Sequence, residues 1–525
     1  MVVLTNGAAV SAVDAAGLSP RRVEYSLSRW LFLRLLGVVY LIAFVSLGVQ
    51  VIGLVGHEGL LPIGALLGRA RAALGAEAFY FYPTLLWLAH GDAMLRFLCW
   101  GGAALSVLLI ADVAPVPILV LLWLFYLSLT VAGQQFLSFQ WDALLLEAGF
   151  LAIFYAPLRV WPRFASDRAP SPVIRWLLWL LLFKVIFLSG ITKLLSGDPT
   201  WRNLTALTYH YETQPLPTWI GWYAYHMPVW FQKLSVIGVY VSELLVPIAI
   251  VLPLRNLWPR RIGCAAIIAF QLLIAATGNY GFFNLLTIVL AVVLLDDDAI
   301  RWLMPQRAAG GQSGRVAGDR EREGRRKRAV NAGVGIAIGV LSFVAFVHEM
   351  VATVPGANNW VLAFTNQVME LVGPFRSVNG YGLFRVMTTE RGEIAVEASA
   401  DDSTWTPVDF RWKPGPLGRR PAFVEPHMPR LDWQMWFAAL NPRSSSDLLG
   451  ALVHRLLEGS PTVRRLMAPG PFSTAPPKYV RLIYYKYEFT SFAERKASGN
   501  WWKRERVGEL TRAFSLRDFT GSRGR

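Results

Sequence analysis

Four long runs without a charged residue constrain the fold of this 525-residue chain more than any other feature. They cover 35–57, 113–141, 262–295 and 329–348, and are 23, 29, 34 and 20 residues long. A helix needs about 20 apolar residues to cross a bilayer. The longest run contains the turn sequence TGNYG at 277–281, which predicts two short helices in a hairpin. We therefore expect a polytopic helical membrane protein.

Together with shorter apolar stretches, the runs predict about nine membrane spans. The predicted spans are 30–55, 93–111, 115–134, 142–157, 174–195, 229–253, 262–277, 281–296 and 330–353. The resulting organisation has an N-terminal segment (1–29), a helical membrane domain (30–296), a basic loop (297–329), a last span (330–353) and a C-terminal domain (355–525).

The basic residues orient these spans. Eighteen Lys and Arg fall in the predicted inner segments and three fall in the predicted outer loops 56–92, 135–141, 196–228 and 278–280. Basic residues are enriched in cytoplasmic loops. We therefore expect segments 1–29 and 297–329 to be cytoplasmic and 355–525 to be external. The net charge of +16 has the same explanation, so no nucleic-acid partner is expected.

The C-terminal domain has a different sequence pattern. Segments 381–388, 392–399, 405–412 and 478–490 alternate or are rich in β-branched and aromatic residues, which predicts strands. Segments 431–440 and 447–458 are typical of helices. We predict a β-rich extramembrane domain, resembling a sandwich or jelly roll, with helical insertions.

Four ionisable residues within predicted spans are candidates for a functional role, because a charge at membrane depth is costly. Lys184 and Glu243 both lie near mid-bilayer and are predicted to form an intramembrane ion pair. Lys193 lies near the outer surface, where it is either an anchoring lysine or a catalytic base. Glu147, inside the fourth span, needs a partner, and Lys193 lies at a compatible depth.

The outer loop 196–228 interleaves aromatic rings with polar groups, including His210 and Glu212. This composition is typical either of an aromatic belt at the membrane surface or of a recognition cleft. The spacing of its acidic and histidine side chains does not predict a metal site. Nucleotide-binding and hydrolase motifs are missing from the sequence, so we expect neither a metal nor a cofactor.

Several long strings of the sequence resemble the lipase maturation factor family. They are SFQWDALLLEAGFL (138–151), SGITKLLSGDPTWRNLTALTYHYETQPLPTW (189–219), TGNYGFFNLLT (277–287), VEASADDSTWTPVDFRWKPG (396–415) and PHMPRLDWQMWFAAL (426–440). We predict binding residues within the first three strings, at Gln140, Trp141, Asp142, Asp198, Trp201, Arg202, Asn203, Tyr209, Tyr211, Asn279, Tyr280 and Asn284.

The resemblance implies a membrane-embedded folding factor for exported proteins, with client proteins such as lipases and membrane lipid as partners. It places the chain in the endoplasmic reticulum membrane, whereas the Ala-, Arg- and Gly-rich composition is typical of a bacterial protein and would place it in the inner membrane. A shorter segment, Gly190 to Lys193, is similar to the vitamin K-dependent γ-carboxylase group, although Thr192 replaces the first of that group's two adjacent lysines.

Two alternatives to the folding factor follow. One is a membrane enzyme that uses Lys193 as base, with Glu147, His210 and Glu212 as further candidate catalytic residues. The other is a lipid-binding or transport protein centred on Lys184 and Glu243. A protein without enzymatic activity is the favoured interpretation.

The charge bias makes the topology testable. Reporter fusions placed after Arg328 and after Arg525 are expected to report opposite sides of the membrane, because a single span separates the two positions. The same side for both fusions would contradict the odd number of spans. A fusion after Arg261 serves as a control and should report the cytoplasmic side.

Overall fold

The computed structural model describes residues 23–162, 169–252, 256–303, 325–356, 359–473 and 475–520. The helices of its first part are α1 (Ser26–Gly48), α2 (Val51–Val55), α3 (Ile63–Leu74), α4 (Ala78–Phe81), α5 (Asp92–Ile110), α6 (Pro115–Gly133), α7 (Gln140–Tyr155), α8 (Pro172–Leu195), α9 (Pro199–Arg202), α10 (Leu207–Thr213), α11 (Trp219–Tyr225), α12 (Val229–Tyr240), α13 (Ile248–Val251), α14 (Trp258–Thr277), α15 (Phe283–Val292), α16 (Asp297–Leu303), α17 (Arg325–Thr353) and α18 (Asn359–Val372).

Seven helical stretches among the described residues are long and apolar enough to cross a membrane. They are Ser26–Gly48, Asp92–Ile110, Pro115–Leu137, Pro172–Leu195, Val229–Val251, Trp258–Thr277 and Asn331–Thr353. The prediction of a polytopic helical membrane protein is confirmed. The two other predicted spans correspond to α7 and α15, which have 16 and 10 residues. At 1.5 Å per residue these helices are about 24 and 15 Å long.

Both short helices nevertheless connect the two ends of the helical bundle. One end, here called the outer end, carries the loops predicted to be external. Asp142 of α7 and Asn284 of α15 lie there and contact the C-terminal domain. The far ends of these helices lead to residues at the other, inner end: Val160 accepts a hydrogen bond from Ala114, and Asp296 pairs with Arg261.

Carboxylates organise the inner end. Asp297 accepts hydrogen bonds from the backbone N–H groups of Ser26, Leu27 and Ser28 and so occupies the N-terminus of α1. Asp112 forms ion pairs with Arg34 and Arg159. These contacts join segments that were all predicted to share one side of the membrane.

The C-terminal domain lies on the outer end of the bundle and contains one antiparallel sheet within the described residues. Its strands are β1 (Arg391–Ser399), β2 (Thr406–Val408), β3 (Tyr479–Phe489), β4 (Trp502–Glu509) and β5 (Phe514–Ser515), in the order β2-β1-β3-β4 with β5 paired to β3. Its helices are α19 (Arg430–Leu440), α20 (Ser446–Leu457), α21 (Pro461–Arg464), α22 (Phe492–Ser498) and α23 (Leu516–Thr520). The prediction of a β-rich domain with helices is confirmed.

Each face of this sheet is covered by something other than a second sheet. On one face Ile394, Val396 and Leu482 are buried in the main core together with residues of α19 and α20. On the opposite face Ile483 and Tyr485 pack in a separate cluster with side chains of the outer loop. One face of the sheet is therefore covered by helices of the C-terminal domain and the other by the outer loop.

The prediction of a strand at 381–388 is wrong. This segment has no ladder partner among the described residues, because its backbone groups bind side chains of α7 and of the outer loop instead. The Gly382 N–H donates to Gln140 Oε1 at 3.3 Å, and the Met387 N–H donates to Asp198 Oδ2 at 2.6 Å. The chain then enters β1 at Arg391.

The segment between the last span and β1 re-enters the bundle. Helix α18 turns back beside α17, where His348 Nδ1 lies 3.1 Å from Thr365 Oγ1. After α18 the chain runs without regular secondary structure through the interior, with Val378 and Tyr381 buried. Gly380 and Gly382 face Glu349 so closely that an added Cβ would lie 2.6 and 2.8 Å from its carboxylate. A side chain at either position would require the Glu349 carboxylate to move.

The buried pair Glu147–Lys184 binds this irregular segment. Lys184 Nζ donates to Glu147 Oε1 at 2.7 Å and to the Asn379 carbonyl at 3.2 Å. Glu147 Oε2 accepts from the Asn379 N–H at 2.9 Å and from the Tyr381 hydroxyl at 2.9 Å. Lys184 lies midway along α8. Irregular backbone at membrane depth is tolerated only where protein groups satisfy it, and this pair supplies them.

Removing Lys184 should release the re-entrant segment. Lys184→Met leaves the Glu147 carboxylate buried and unpaired, which costs about 3–5 kcal/mol. In a Cys99→Ala/Cys264→Ala background, Val378→Cys should resist a water-soluble maleimide, and Lys184→Met should make it reactive. Arg202→Cys, at an exposed position, is the control and should react in both backgrounds. Unchanged protection of residue 378 would contradict this role.

Candidate functional site

The outer loop 196–228 is folded into three short helices. Asp198 caps α9 by accepting from the Thr200 N–H at 2.7 Å, and Thr218 caps α11 by accepting from the Gly221 N–H at 3.0 Å. The Trp201 indole N–H donates to the Phe384 carbonyl at 2.9 Å. The loop is thus a fixed part of the boundary between the bundle and the C-terminal domain.

The predicted ion pair between Lys184 and Glu243 is wrong, because the two lysines have exchanged partners. Lys193 Nζ lies 2.7 and 3.0 Å from the two carboxylate oxygens of Glu243, whereas Lys184 binds Glu147. Glu243 belongs to the π-helical turn Val241–Leu245, which follows α12. All four side chains are buried.

Lys193 is bound as a structural cation. Besides the two contacts with Glu243, its ammonium group donates to the Ser189 carbonyl at 2.9 Å, and it lies 5.2 Å from the centre of the Trp201 ring. These three hydrogen bonds use all three of its protons. A base at this position would need a free lone pair, so the geometry does not favour the enzyme alternative.

His210 belongs to a different network. Its Nε2 lies 3.0 Å from the Tyr280 hydroxyl, which donates to Gln214 Oε1 at 2.7 Å. Burial, together with the nearby charge of Lys193, lowers the pKa of His210 to about 4. The imidazole is therefore neutral at pH 7 and serves as a hydrogen-bonding group that joins α10 to the turn at 278–280.

Glu212 binds the sheet. Its carboxylate accepts from the Phe489 N–H at 2.7 Å, and burial raises its pKa. Beside it the Arg391 guanidinium donates to the carbonyls of Glu212 and Pro215 at 2.8 and 2.9 Å. Each of the four candidate catalytic residues therefore has its own separate partner, and they do not form one constellation.

The turn at 278–280 binds the C-terminal domain through Asn279. Its amide donates to the carbonyls of Leu216 and Ala422 at 3.0 and 2.9 Å and accepts from the Val424 N–H at 2.7 Å. Glu425 accepts from the Tyr280 N–H and from the Asn284 amide. Burial raises the pKa of Glu425 to about 7.

The string around Asp142 forms another attachment. Asp142 accepts from both terminal nitrogens of Arg430 at 2.6 and 2.7 Å and from the Tyr126 hydroxyl at 2.6 Å. Trp141 packs against Trp433 with ring centres 4.8 Å apart. A buried bidentate pair of this kind fixes both position and orientation.

Three of the predicted binding residues face solvent: Arg202, Asn203 and Tyr209 are exposed. Tyr211 is half-buried in a small cluster with Trp201 and Leu207. These residues surround the attachment points without contributing hydrogen bonds to them. Most of the other predicted binding residues connect the two domains.

Sequence reasoning did not single out Arg391, Arg430, Asn379 or Glu425. Arg430 lies in the string PHMPRLDW and Glu425 directly precedes it; this string was identified for its resemblance to the family, without a role for either residue. Arg391 and Asn379 carried no signal, because their partners in the membrane domain lie more than 170 residues away in the sequence.

An exposed group of rings, here called the aromatic surface, lies at the edge of this boundary. It consists of Trp219 and Tyr223 from α11 and Phe423 and Phe492 from the C-terminal domain. Tyr223, Phe423 and Phe492 are 43, 44 and 54% exposed. Beside Phe492 a surface hollow of about 350 Å³ is lined by Arg495 and Lys496.

These features define a polytopic membrane protein that holds a β-rich domain rigidly on its outer end. The model of the lipase maturation factor transmembrane domain matches residues 27–302, and that of the lipase maturation factor C-terminal domain matches residues 377–512. The chain belongs to the lipase maturation factor family.

Similar proteins cover almost the whole chain. Lipase maturation factor 2 of Gallus gallus is 38% identical, over 96% of this chain and 83% of its own length. Lipase maturation factor 2 of Homo sapiens is 36% identical, over 94% and 83%. Lipase maturation factor 1 of Bos taurus is 34% identical, over 95% and 91%. No solved structure matches the chain.

The role of Lys193 can be tested by keeping or removing its charge. Lys193→Arg retains a cation for Glu243, so abundance and function should stay close to wild type. Lys193→Met leaves a buried carboxylate unpaired and should reduce abundance, since that costs about 3–5 kcal/mol. Immunoblotting of membranes and a cellular maturation assay measure the two properties.

The paired variant Lys193→Met/Glu243→Met is the control and should recover abundance and function, because both charges are removed together. An abundant but inactive Lys193→Arg protein would instead support the enzyme alternative, since arginine does not deprotonate at neutral pH.

Proposed function

We propose that this chain is a folding or maturation factor for exported lipases, acting on the side of the membrane where its C-terminal domain lies. The names of its relatives support the lipase client. The proposed location is the endoplasmic reticulum membrane, with the C-terminal domain in the lumen. The aromatic surface is the observation that carries the proposal, because it offers a binding surface, whereas the four candidate catalytic residues each bind a separate partner among the described residues.

Its chemistry suits a client that is still folding. Exposed contiguous apolar patches mark interaction sites on soluble surfaces, and aromatic and arginine side chains dominate binding energy at interfaces. Arg420 lies 5.8 Å from the centre of the Trp219 ring, and Arg495 lies 3.7 Å from that of Trp501. The surface can therefore accept apolar segments flanked by acidic residues.

The surface is also composite. Tyr223 comes from the membrane domain, and Phe423 and Phe492 come from the C-terminal domain. The buried Trp222 joins them from below, with its ring centre 4.9 Å from that of Phe492. The binding surface is complete only when the two domains are docked, which accounts for the many buried polar contacts between them.

Removing the exposed rings should impair maturation without unfolding the protein. Tyr223→Ser with Phe423→Ser removes two rings, each worth about 1–2 kcal/mol of binding, so client affinity should fall at least tenfold. The measurement is the activity of a co-expressed secreted lipase, normalised to the abundance of the variant, together with co-purification of that lipase.

Val507→Ser, at a more exposed position on the edge strand β4, is the control and should behave as wild type. Normal lipase maturation by the double variant would overturn the proposal. So would a loss of abundance with normal maturation per molecule, since that result would assign the rings to the lipid surface.

A further inference from the structure

The re-entrant helix α18 presents an apolar face without a protein partner among the described residues. Trp360, Phe364 and Leu371 are 69, 57 and 62% exposed. Their spacing of four and seven residues places them on one side of the helix. Since α18 runs back beside the last span, this face lies at membrane depth.

A cavity of about 320 Å³ opens beside the end of α18. It is lined by Tyr80, Trp123, Phe150, Leu371, Val372, Phe375 and Ser377. The ring centres of Trp123 and Phe150 are 5.6 Å apart, and those of Tyr80 and Phe375 are 5.5 Å apart. Aromatic rings therefore form two of its walls.

The depth of the cavity follows from the helices that line it. Trp123 and Phe150 each lie ten residues from the outer ends of α6 and α7. At 1.5 Å per residue the two rings lie roughly 15 Å below those ends. This depth is within the hydrocarbon region of a bilayer, where only apolar groups surround the protein.

We propose that this cavity binds an acyl chain of a membrane phospholipid. Apolar cavities do not hold water, and the volume is at the lower end of the range of small-molecule sites. The exposed face of α18 continues the apolar lining outward, so a chain can enter sideways from the bilayer. The bound chain would support the end of α18, from which the segment at 376–382 crosses the bundle interior.

Photo-crosslinking tests this site in the intact protein. A phosphatidylcholine with a diazirine in the middle of one acyl chain is incorporated into vesicles containing the full chain. Crosslinked peptides should be enriched at least fivefold around Phe150 and Phe375 over the peptide of Trp100, a lipid-exposed residue at similar depth on α5. Equal labelling at all exposed positions would show annular lipid only and overturn the proposal.

A second experiment fills the cavity with larger side chains. Val372→Trp should reduce crosslinking at Phe150 at least fivefold, and Ser377→Leu, a smaller change, should reduce it in part. Val340→Trp adds the same side chain at an exposed site on α17 and is the control. Undiminished labelling in properly folded Val372→Trp would overturn the proposal. The wild-type distribution remains decisive if that variant does not fold.

A fatty acid carrying the same diazirine distinguishes the source of the chain. The phospholipid should label the cavity more strongly than the fatty acid at equal mole fraction. Stronger labelling by the fatty acid would overturn the assignment to phospholipid.

Discussion

Backbone without secondary structure can exist at membrane depth only if protein groups take up its hydrogen bonds. In this chain the pair Glu147–Lys184 takes up both the N–H and the carbonyl of Asn379. The irregular segment that this pair holds leads from α18 to the first strand of the C-terminal domain. The position of that domain therefore depends on two buried charges that would otherwise be costly to keep in a membrane.

Much of the fold could be predicted from the sequence, because apolar runs and positive charges reflect the bilayer directly. The sequence could not, however, predict which buried charges form ion pairs with each other. Depth along a helix is readable from residue number, but the direction in which a side chain points relative to other helices is not. Lys184 and Lys193 lie nine residues apart on opposite faces of α8, and each meets a carboxylate on a different neighbouring helix.

The segment at 381–388 shows a second limit. Its alternating pattern predicts a strand, but the chain turns at residues 383–384, and a strand also needs a neighbour to pair with. Here Gln140 and Asp198 take that place, and no pattern within 381–388 reveals partners about 190 to 240 residues away. The candidate site was predictable only in part for the same reason. The sequence identified the strings around Asp142 and Asn279. It did not show that these residues bind Arg430 and Val424, which the folded chain reveals.

The buried charged and amide side chains at the outer end attach the C-terminal domain to the helical bundle. Arg430 fixes the outer domain to α7, Asn279 fixes it to the turn between α14 and α15, and Arg391 fixes it to the loop after α10. Three separated attachments prevent rotation of the domain on the bundle. The aromatic surface is consequently held at a fixed distance from the membrane surface, next to the start of α12 at Val229. A client bound there, as proposed above, would stay close to the membrane surface while its own fold completes.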